Sequence, residues 1–207
     1  MKNNDTIKAL LFDLGGVILD IDFNLAFKSW SKHTDSSAEK IRSKFKFDRY
    51  YEAHEKGEIE FEEYFFSLRK TLGINITDQE FKDGWNSIFI DEILGISTLL
   101  VDIKKKIPIY IFSNTNHLHK SYWLNKFQPV LSNFEKIFTS SDIGKRKPEL
   151  EAFQIVTDLI GIESPQIVFF DDLLENVNGA KRAGLKTVHV QTILDTEKGI
   201  KQFTNLN

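Results

Sequence analysis

The chain is punctuated by short apolar runs that each end in acids, hydroxyls or amides. The first, Ile7 to Phe12 (IKALLF), stops at Asp13 and passes into Gly15-Gly16. The second, Ile109 to Phe112 (IYIF), delivers Ser113-Asn114-Thr115-Asn116, and the third, Ile167 to Phe170 (IVFF), delivers Asp171-Asp172. Runs of this length bounded by turn residues read as buried strands with polar tips. Helical spacing follows the second and third. Leu150, Phe153, Val156 and Leu159-Ile160 recur at three- and four-residue intervals, which predicts a helix with Pro148 at its first position, Glu149 and Glu151 in its first turn and Gly161 as its stop. A second helix, near Leu174 to Ala183, leads past Gly184 into a strand at Thr187 to Val190, a βαβ unit whose strands run parallel. The alternation predicts an α/β fold built on a doubly wound parallel sheet.

Between residues 20 and 95 the pattern changes to segments rich in aromatics and charges, without continuous strand-like runs. This predicts a helical insertion. Ile59, Tyr64, Phe65, Phe66, Leu68 and Leu72 suit one amphipathic helix, and Thr77 with Glu80 three residues on marks the start of another. Trp30, Tyr50, Tyr51, Phe65 and Trp85 are expected to form the core of the insertion. The chain therefore divides into a core of residues 1–19 and 96–207 and a small helical cap of residues 20–95, with joints near Asp20 and Gly95; Asp20 and Asp22 belong to the hinge. Residues after about Thr196 are expected to form a short terminal helix or tail.

Composition narrows the function classes. With 207 residues, 41% of them hydrophobic and 18 of them Phe, there is material for one sizeable core plus an insertion. A formal charge of −3, with no basic run, argues against a nucleic-acid partner. No stretch approaches the roughly 18 apolar residues of a membrane span, and Asp13 interrupts the N-terminal apolar run, so a soluble cytoplasmic protein with no membrane partner is expected. The absence of Cys removes thiolate metal sites and Cys nucleophiles, so any metal must bind oxygen or histidine.

In open α/β sheets, ligands bind outside the carboxyl ends of the strands, and there Asp13, Ser113, Asp171 and Asp172 converge. Lys147, just before a predicted helix N-terminus, can join them. Carboxylates, a hydroxyl, a lysine and free backbone N–H groups suit a phosphate held with a divalent cation, and oxygen ligands select Mg²⁺. Lys145 and Arg146 read as surface charges.

Four motifs in order resemble the haloacid dehalogenase-like (HAD) hydrolases with a small helical cap after the first strand: LLFDLGGVILD, IYIFSNTN, GKRKPELEAF and IVFFDDLLENVNGAKRAG. The stretches DIDFN, AHEKGEI, SNTNHLH and DDLLENV resemble the bacterial sugar-phosphate phosphatases that act on glucose 1-phosphate. The resemblance implies an Mg²⁺-dependent phosphatase acting on a small phosphate ester, as a monomer or small homo-oligomer. Asp13 would form an aspartyl-phosphate. Asp13, Asp172 and the Gly15 carbonyl would ligate Mg²⁺, and Asp171 would hold a metal-bound water or orient Lys147. Ser113 and the N–H of Asn114 would bind phosphate oxygens, and Lys147 would neutralise them. Asn176 is a candidate support for the acidic loop. Glu55, Lys56 and Gly57 are expected at a cap turn that reaches the substrate, and His117 is a candidate acid or substrate contact. One position departs from most phosphatases of the superfamily: Gly15 stands where a second aspartate gives acid–base help worth about 10²- to 10⁴-fold. Two alternatives follow, a phosphate- and Mg²⁺-binding regulatory protein without turnover and a haloacid dehalogenase, for which the Asp171-Asp172 pair has little use.

Overall fold

The computed structural model describes residues 6–204. The chain begins with β1 (Ala9–Phe12) and β2 (Leu19–Ile21), then enters five helices: α1 (Phe23–Ser31), α2 (Ala38–Lys44), α3 (Arg49–Glu55), α4 (Phe61–Leu72) and α5 (Asp78–Asn86). It returns through β3 (Phe89–Glu92) and α6 (Ile96–Ile103) to β4 (Ile109–Ser113), α7 (His117–Lys126), α8 (Gln128–Leu131), β5 (Lys136–Thr139) and α9 (Ser140–Ile143). The remainder is α10 (Leu150–Ile160), β6 (Ile167–Asp171), α11 (Leu174–Arg182), β7 (Lys186–His189) and α12 (Ile193–Thr204).

The three apolar runs of the sequence are neighbours at the middle of one parallel sheet, ordered β5-β4-β1-β6-β7. Phe12 lies beside Ile111 on one side and Phe170 on the other, so Asp13, Ser113 and Asp171 emerge along a single edge. Alternation of side chains fills both faces. Leu10, Phe12, Ile109, Ile111, Val168 and Phe170 pack on one face, with Leu100 of α6 and Trp123 of α7; Ala9, Leu11, Phe112 and Phe169 pack on the other, with Phe153 of α10 and Ala180 of α11. Helices thus cover both faces, as the alternating pattern predicts.

The segment between β1 and β4 is helical, but it is entered and left through strands that the sequence reading does not anticipate. β2 and β3 pair antiparallel, with Leu19 opposite Glu92 and Ile21 opposite Phe89, so Asp20 lies within a strand. Each strand is too short for alternation to register. Asp22 caps α1 by accepting the Asn24 N–H, and Thr77 and Glu80 form the expected reciprocal cap at α5. The aromatic core of the insert is as expected for Trp30, Tyr51, Phe65 and Trp85, with Tyr50 only partly buried against it: Trp30 stacks on Phe81 at 4.4 Å, donates its Nε1–H to the Phe81 carbonyl and sits over Gly84, where a Cβ would come within 2.3 Å of that nitrogen. Phe66 departs from the expectation and is 72% exposed, because α4 turns Tyr64, Phe65 and Leu68 inward. Pro148 also stands outside its helix: α10 starts at Leu150 with Glu149 as its cap, while Gly161 ends it with φ 74°, as the pattern predicts. The terminal helix begins earlier than expected and packs Ile200 into the core; residues 205–207 of the expected tail lie outside the described residues.

Candidate active site

Asp13, Lys147, Asp171 and Asp172 come together at the carboxyl edge of the sheet. The Lys147 ammonium lies 2.7 Å from Asp13 Oδ1 and 2.7 Å from Asp171 Oδ2, with the side chain 1% exposed. Its walls are aromatic faces, Phe112 at 5.5 Å and Phe169 at 5.3 Å, which favour a cation. Burial alone pulls the lysine down, but Asp13 and Asp171 outweigh it and hold the ammonium protonated above its usual range. Burial pushes the Asp13 carboxyl up to about 7, against the pull of Lys147 and with the charge of Asp171 adding to the rise. Burial, then Asp171, likewise raises Asp172.

Each member is held locally. Asp13 Oδ1 also accepts the Leu14 N–H at 2.7 Å. Asp171, fully buried, accepts the Leu173 N–H and both oxygens accept from Asn176 Nδ2, so Asn176 supports the acidic loop. Gly16, at φ 76°, lets the turn after β1 press against Asp172: a Cβ there would lie 2.6 Å from Asp172 Oδ2. Asn114 pins the lysine loop through two reciprocal bonds, donating Nδ2–H to the Lys147 carbonyl and accepting the Lys147 N–H. Ser113 is buried beside it.

A cavity of about 670 Å³ opens from these residues into the insert. It is lined by Asp13, Gly15, Ser113, Asn114, Lys147 and Asp172 at the sheet edge, by the polar group Tyr51, Glu52, Glu55 and Arg146, and by the apolar side chains of Ile21, Phe23, Phe47, Ile88 and Phe89. Glu55 thus reaches the cavity, as the sequence reading expects. Lys56 and His117 do not line it. Lys56 pairs with Glu58 at 2.7 Å, and His117 is exposed at the start of α7 near Gly57. The α7 N-cap at Asn116 explains this: positions 116, 119 and 123 face inward and 117 faces out. Gly57, with φ 68°, does permit a close approach, but to the Ser141 carbonyl, where a Cβ would lie at 2.7 Å.

Sequence reasoning misses the cavity residues Arg146 and His119, among others. Arg146 is half-buried and joined to the insert, its Nε and Nη2 3.0 and 2.9 Å from Glu55 Oε2, and not a surface charge; nothing in KRK announces its partner. His119, buried on α7, was discoverable from the inward spacing of Asn116, His119 and Trp123. Its Nε2 lies 3.0 Å from the Trp85 carbonyl, which can only accept, so Nε2 carries the proton and Nδ1 accepts from Asn116 Nδ2.

Two buried histidines set an acid limit on the fold. Burial lowers His119 to about 3 and His54, stacked on Tyr64 at 4.6 Å, to about 4. The unfolded chain titrates near 6.5 and therefore binds protons first, so this stabilisation is complete above about pH 6.5 and is lost as the pH falls toward 4 and 3. Between pH 7 and pH 5 the wild type should lose about 2 kcal/mol more stability than His54→Phe. Urea unfolding at the two pH values measures the difference, and equal losses would refute the assignment.

Residues 7–184 match the family described as haloacid dehalogenase-like hydrolase. Over 204 residues, 96% of this chain and 99% of the relative, the sequence is 24% identical to D-ribitol-5-phosphate phosphatase of Bacteroides thetaiotaomicron. It is 26% identical, over 96% of this chain and 97% of the relative, to the sesquiterpene phosphatase AstK of Aspergillus oryzae. Among solved structures, the HAD family enzyme BT-2542 of Bacteroides thetaiotaomicron, in complex with magnesium and inorganic phosphate, superposes with TM-score 0.75 at 30% identity, covering 87% of this chain and 92% of that one. With its motifs gathered at one sheet edge and its sequence matched across that whole span, the chain belongs to the haloacid dehalogenase-like hydrolases.

Proposed function

We propose that the protein is an Mg²⁺-dependent phosphatase for a small phosphate ester of the sugar-phosphate class, acting through an aspartyl-phosphate on Asp13. The observation that carries this reading is the buried Lys147 ammonium held between Asp13 and Asp171, at the head of a cavity that also contains Ser113 and Asp172. Lys147 and the Leu14 N–H engage Asp13 Oδ1, and the other carboxylate oxygen attacks phosphorus in line as the P–O bond to the leaving alcohol breaks; water then hydrolyses the aspartyl-phosphate, which releases phosphate and restores Asp13. Ser113 and the Asn114 N–H receive the non-bridging oxygens, and Lys147 neutralises charge that develops on them. Residues 20–95 serve as a cap over the core of residues 1–19 and 96–207, excluding water from the leaving group.

Oxygens of Asp13, Asp171 and Asp172 lie within 4.8 Å of one another, a donor set that fits a hard divalent cation. Asp13, Asp172 and the Gly15 carbonyl would hold it. Asp171, its oxygens engaged by Lys147, Leu173 and Asn176, chiefly orients the lysine. When bound, Mg²⁺ supplies positive charge that keeps Asp13 ionised and binds the substrate phosphate. The magnesium and phosphate complex of BT-2542 and the phosphatase names of both curated relatives support the same reading. The acidic cluster counts against a dehalogenase, and an attacking carboxylate backed by a lysine has no purpose in a regulatory binding protein.

Phosphate release from a panel of sugar and polyol phosphates, nucleotides and an aryl phosphate tests the reading. Turnover with Mg²⁺ that disappears with chelator is expected. Binding of Mg²⁺ and phosphate without turnover on any substrate would instead support the regulatory reading.

A further inference from the structure

The cavity lining carries a buried carboxylate that the steps above do not use. Glu55, at the end of α3, is 5% exposed. Arg146 approaches Oε2 alone, through Nε at 3.0 Å and Nη2 at 2.9 Å, and its Nη1 reaches Glu52 at 3.4 Å. A carboxylate offers about four acceptor positions, and the two Arg146 donors, both on Oε2, leave those of Oε1 to a ligand. The main chain that carries it is anchored as well: Ser140 Oγ donates to the Glu55 carbonyl at 2.6 Å and itself accepts the Thr115 N–H. Arg146 precedes Lys147, so the residue that holds Glu55 stands on the loop that delivers the lysine to Asp13.

We infer that Arg146 is a positioning residue that clamps Glu55 over the site, so that the Glu55 carboxylate accepts hydrogen bonds from hydroxyl groups of the leaving group. The inference rests on the phosphatase reading and refines its substrate class to neutral, polyhydroxylated phosphate monoesters. Charge supports the choice of ligand. A second anionic group here would face Glu52 and Glu55, with the guanidinium already committed to both, and like charges brought together beside the buried Glu55 are unfavourable. A hydroxyl supplies the missing donor, and a site built around a polar partner rejects ligands that lack it because its own buried group is left unpaired.

The test measures kcat and KM for ribitol 5-phosphate, para-nitrophenyl phosphate and a prenyl monophosphate, in the wild type and in Glu55→Gln, Arg146→Gln and Arg146→Lys. Expected is a wild-type preference for the polyol ester over the prenyl ester. In Glu55→Gln and Arg146→Gln, the ratio of kcat/KM for polyol over aryl phosphate should fall at least tenfold, mainly through KM, with partial recovery in Arg146→Lys. Equal losses on polyol and aryl esters would reduce the pair to a structural contact, and a wild-type preference for the prenyl ester would show that the apolar lining sets specificity; either overturns the inference while the phosphatase reading stands. A wild type that hydrolyses none of the three overturns the phosphatase reading, and the inference with it.

Discussion

Asp13→Asn is expected to abolish phosphate release, by about 10⁴-fold or more, while the protein keeps or gains stability. Loss of a covalent nucleophile removes the route and not merely a contact, which is why single nucleophile deletions are among the costliest substitutions. An amide at this position preserves shape, and its oxygen can still accept from Lys147 and the Leu14 N–H, which now converge on Asp13 Oδ1 at 2.7 Å each. Stability moves the other way because the native carboxylate is costly. Burial pushes it up to about 7, and Asp171 and Asp172 both oppose its charge. A neutral isostere removes a desolvated charge crowded by two others, although it weakens the pairing with Lys147. The opposite signs make the result readable. Phosphate release and thermal unfolding of wild type and Asp13→Asn, side by side, check it. A variant that retains more than about 1% of wild-type turnover removes Asp13 from the nucleophile's role. A variant whose melting temperature collapses leaves the loss of activity unassigned to chemistry.

The parts of this molecule that the sequence discloses are those in which one residue's position follows from local pattern. Buried parallel strands must be apolar at consecutive positions, so IKALLF, IYIF and IVFF are visible, and their polar successors Asp13, Ser113 and Asp171 must then share an edge. Thr77 and Glu80, or Gly161 after α10, are visible for the same reason, since the termini of helices have local requirements. What stays hidden depends on contacts between remote segments. Arg146 in KRK looks solvated until α3 places Glu55 beside it, 91 residues away in sequence. His117 and His119 look alike until the cap at Asn116 fixes which of them turns inward. The ribbon of β2 and β3 is hidden because three- and four-residue strands have no periodicity to detect.

Gly15 shows how a departure from a family's pattern acquires physical content. A Cβ at Gly15 would meet Ile21 Cδ1 at 2.8 Å, so the Ile21 side chain of β2 occupies the space that a longer residue would claim. Ile21 also lines the cavity. A side chain at position 15 therefore requires the Ile21 side chain to take another rotamer.

The other large effect is expected at Lys147. Lys147→Met should lower turnover by at least about 10³-fold and, unlike Asp13→Asn, should also destabilise the fold by roughly 3–5 kcal/mol. Removing the ammonium leaves Asp13 and Asp171 facing each other across a site in which Lys147 stands 2.7 Å from each. Breaking one side of a buried ion pair costs more than forming it gained, because the remaining charge keeps its desolvation penalty and loses its partner. Lys147→Arg separates charge from shape. The guanidinium is planar and wider than an ammonium, and the slot it would enter is bounded by the rings of Phe112 and Phe169, each within 5.5 Å of the present nitrogen. Arginine is therefore expected to retain more stability than methionine and to recover little turnover, since its donors cannot meet Asp13 and the phosphate from the same point. Urea unfolding and kcat for the two variants decide the matter. Recovery of wild-type turnover by arginine would show that the site needs only a positive charge, whereas stability that survives in methionine would show that Asp13 and Asp171 are not both ionised around the lysine.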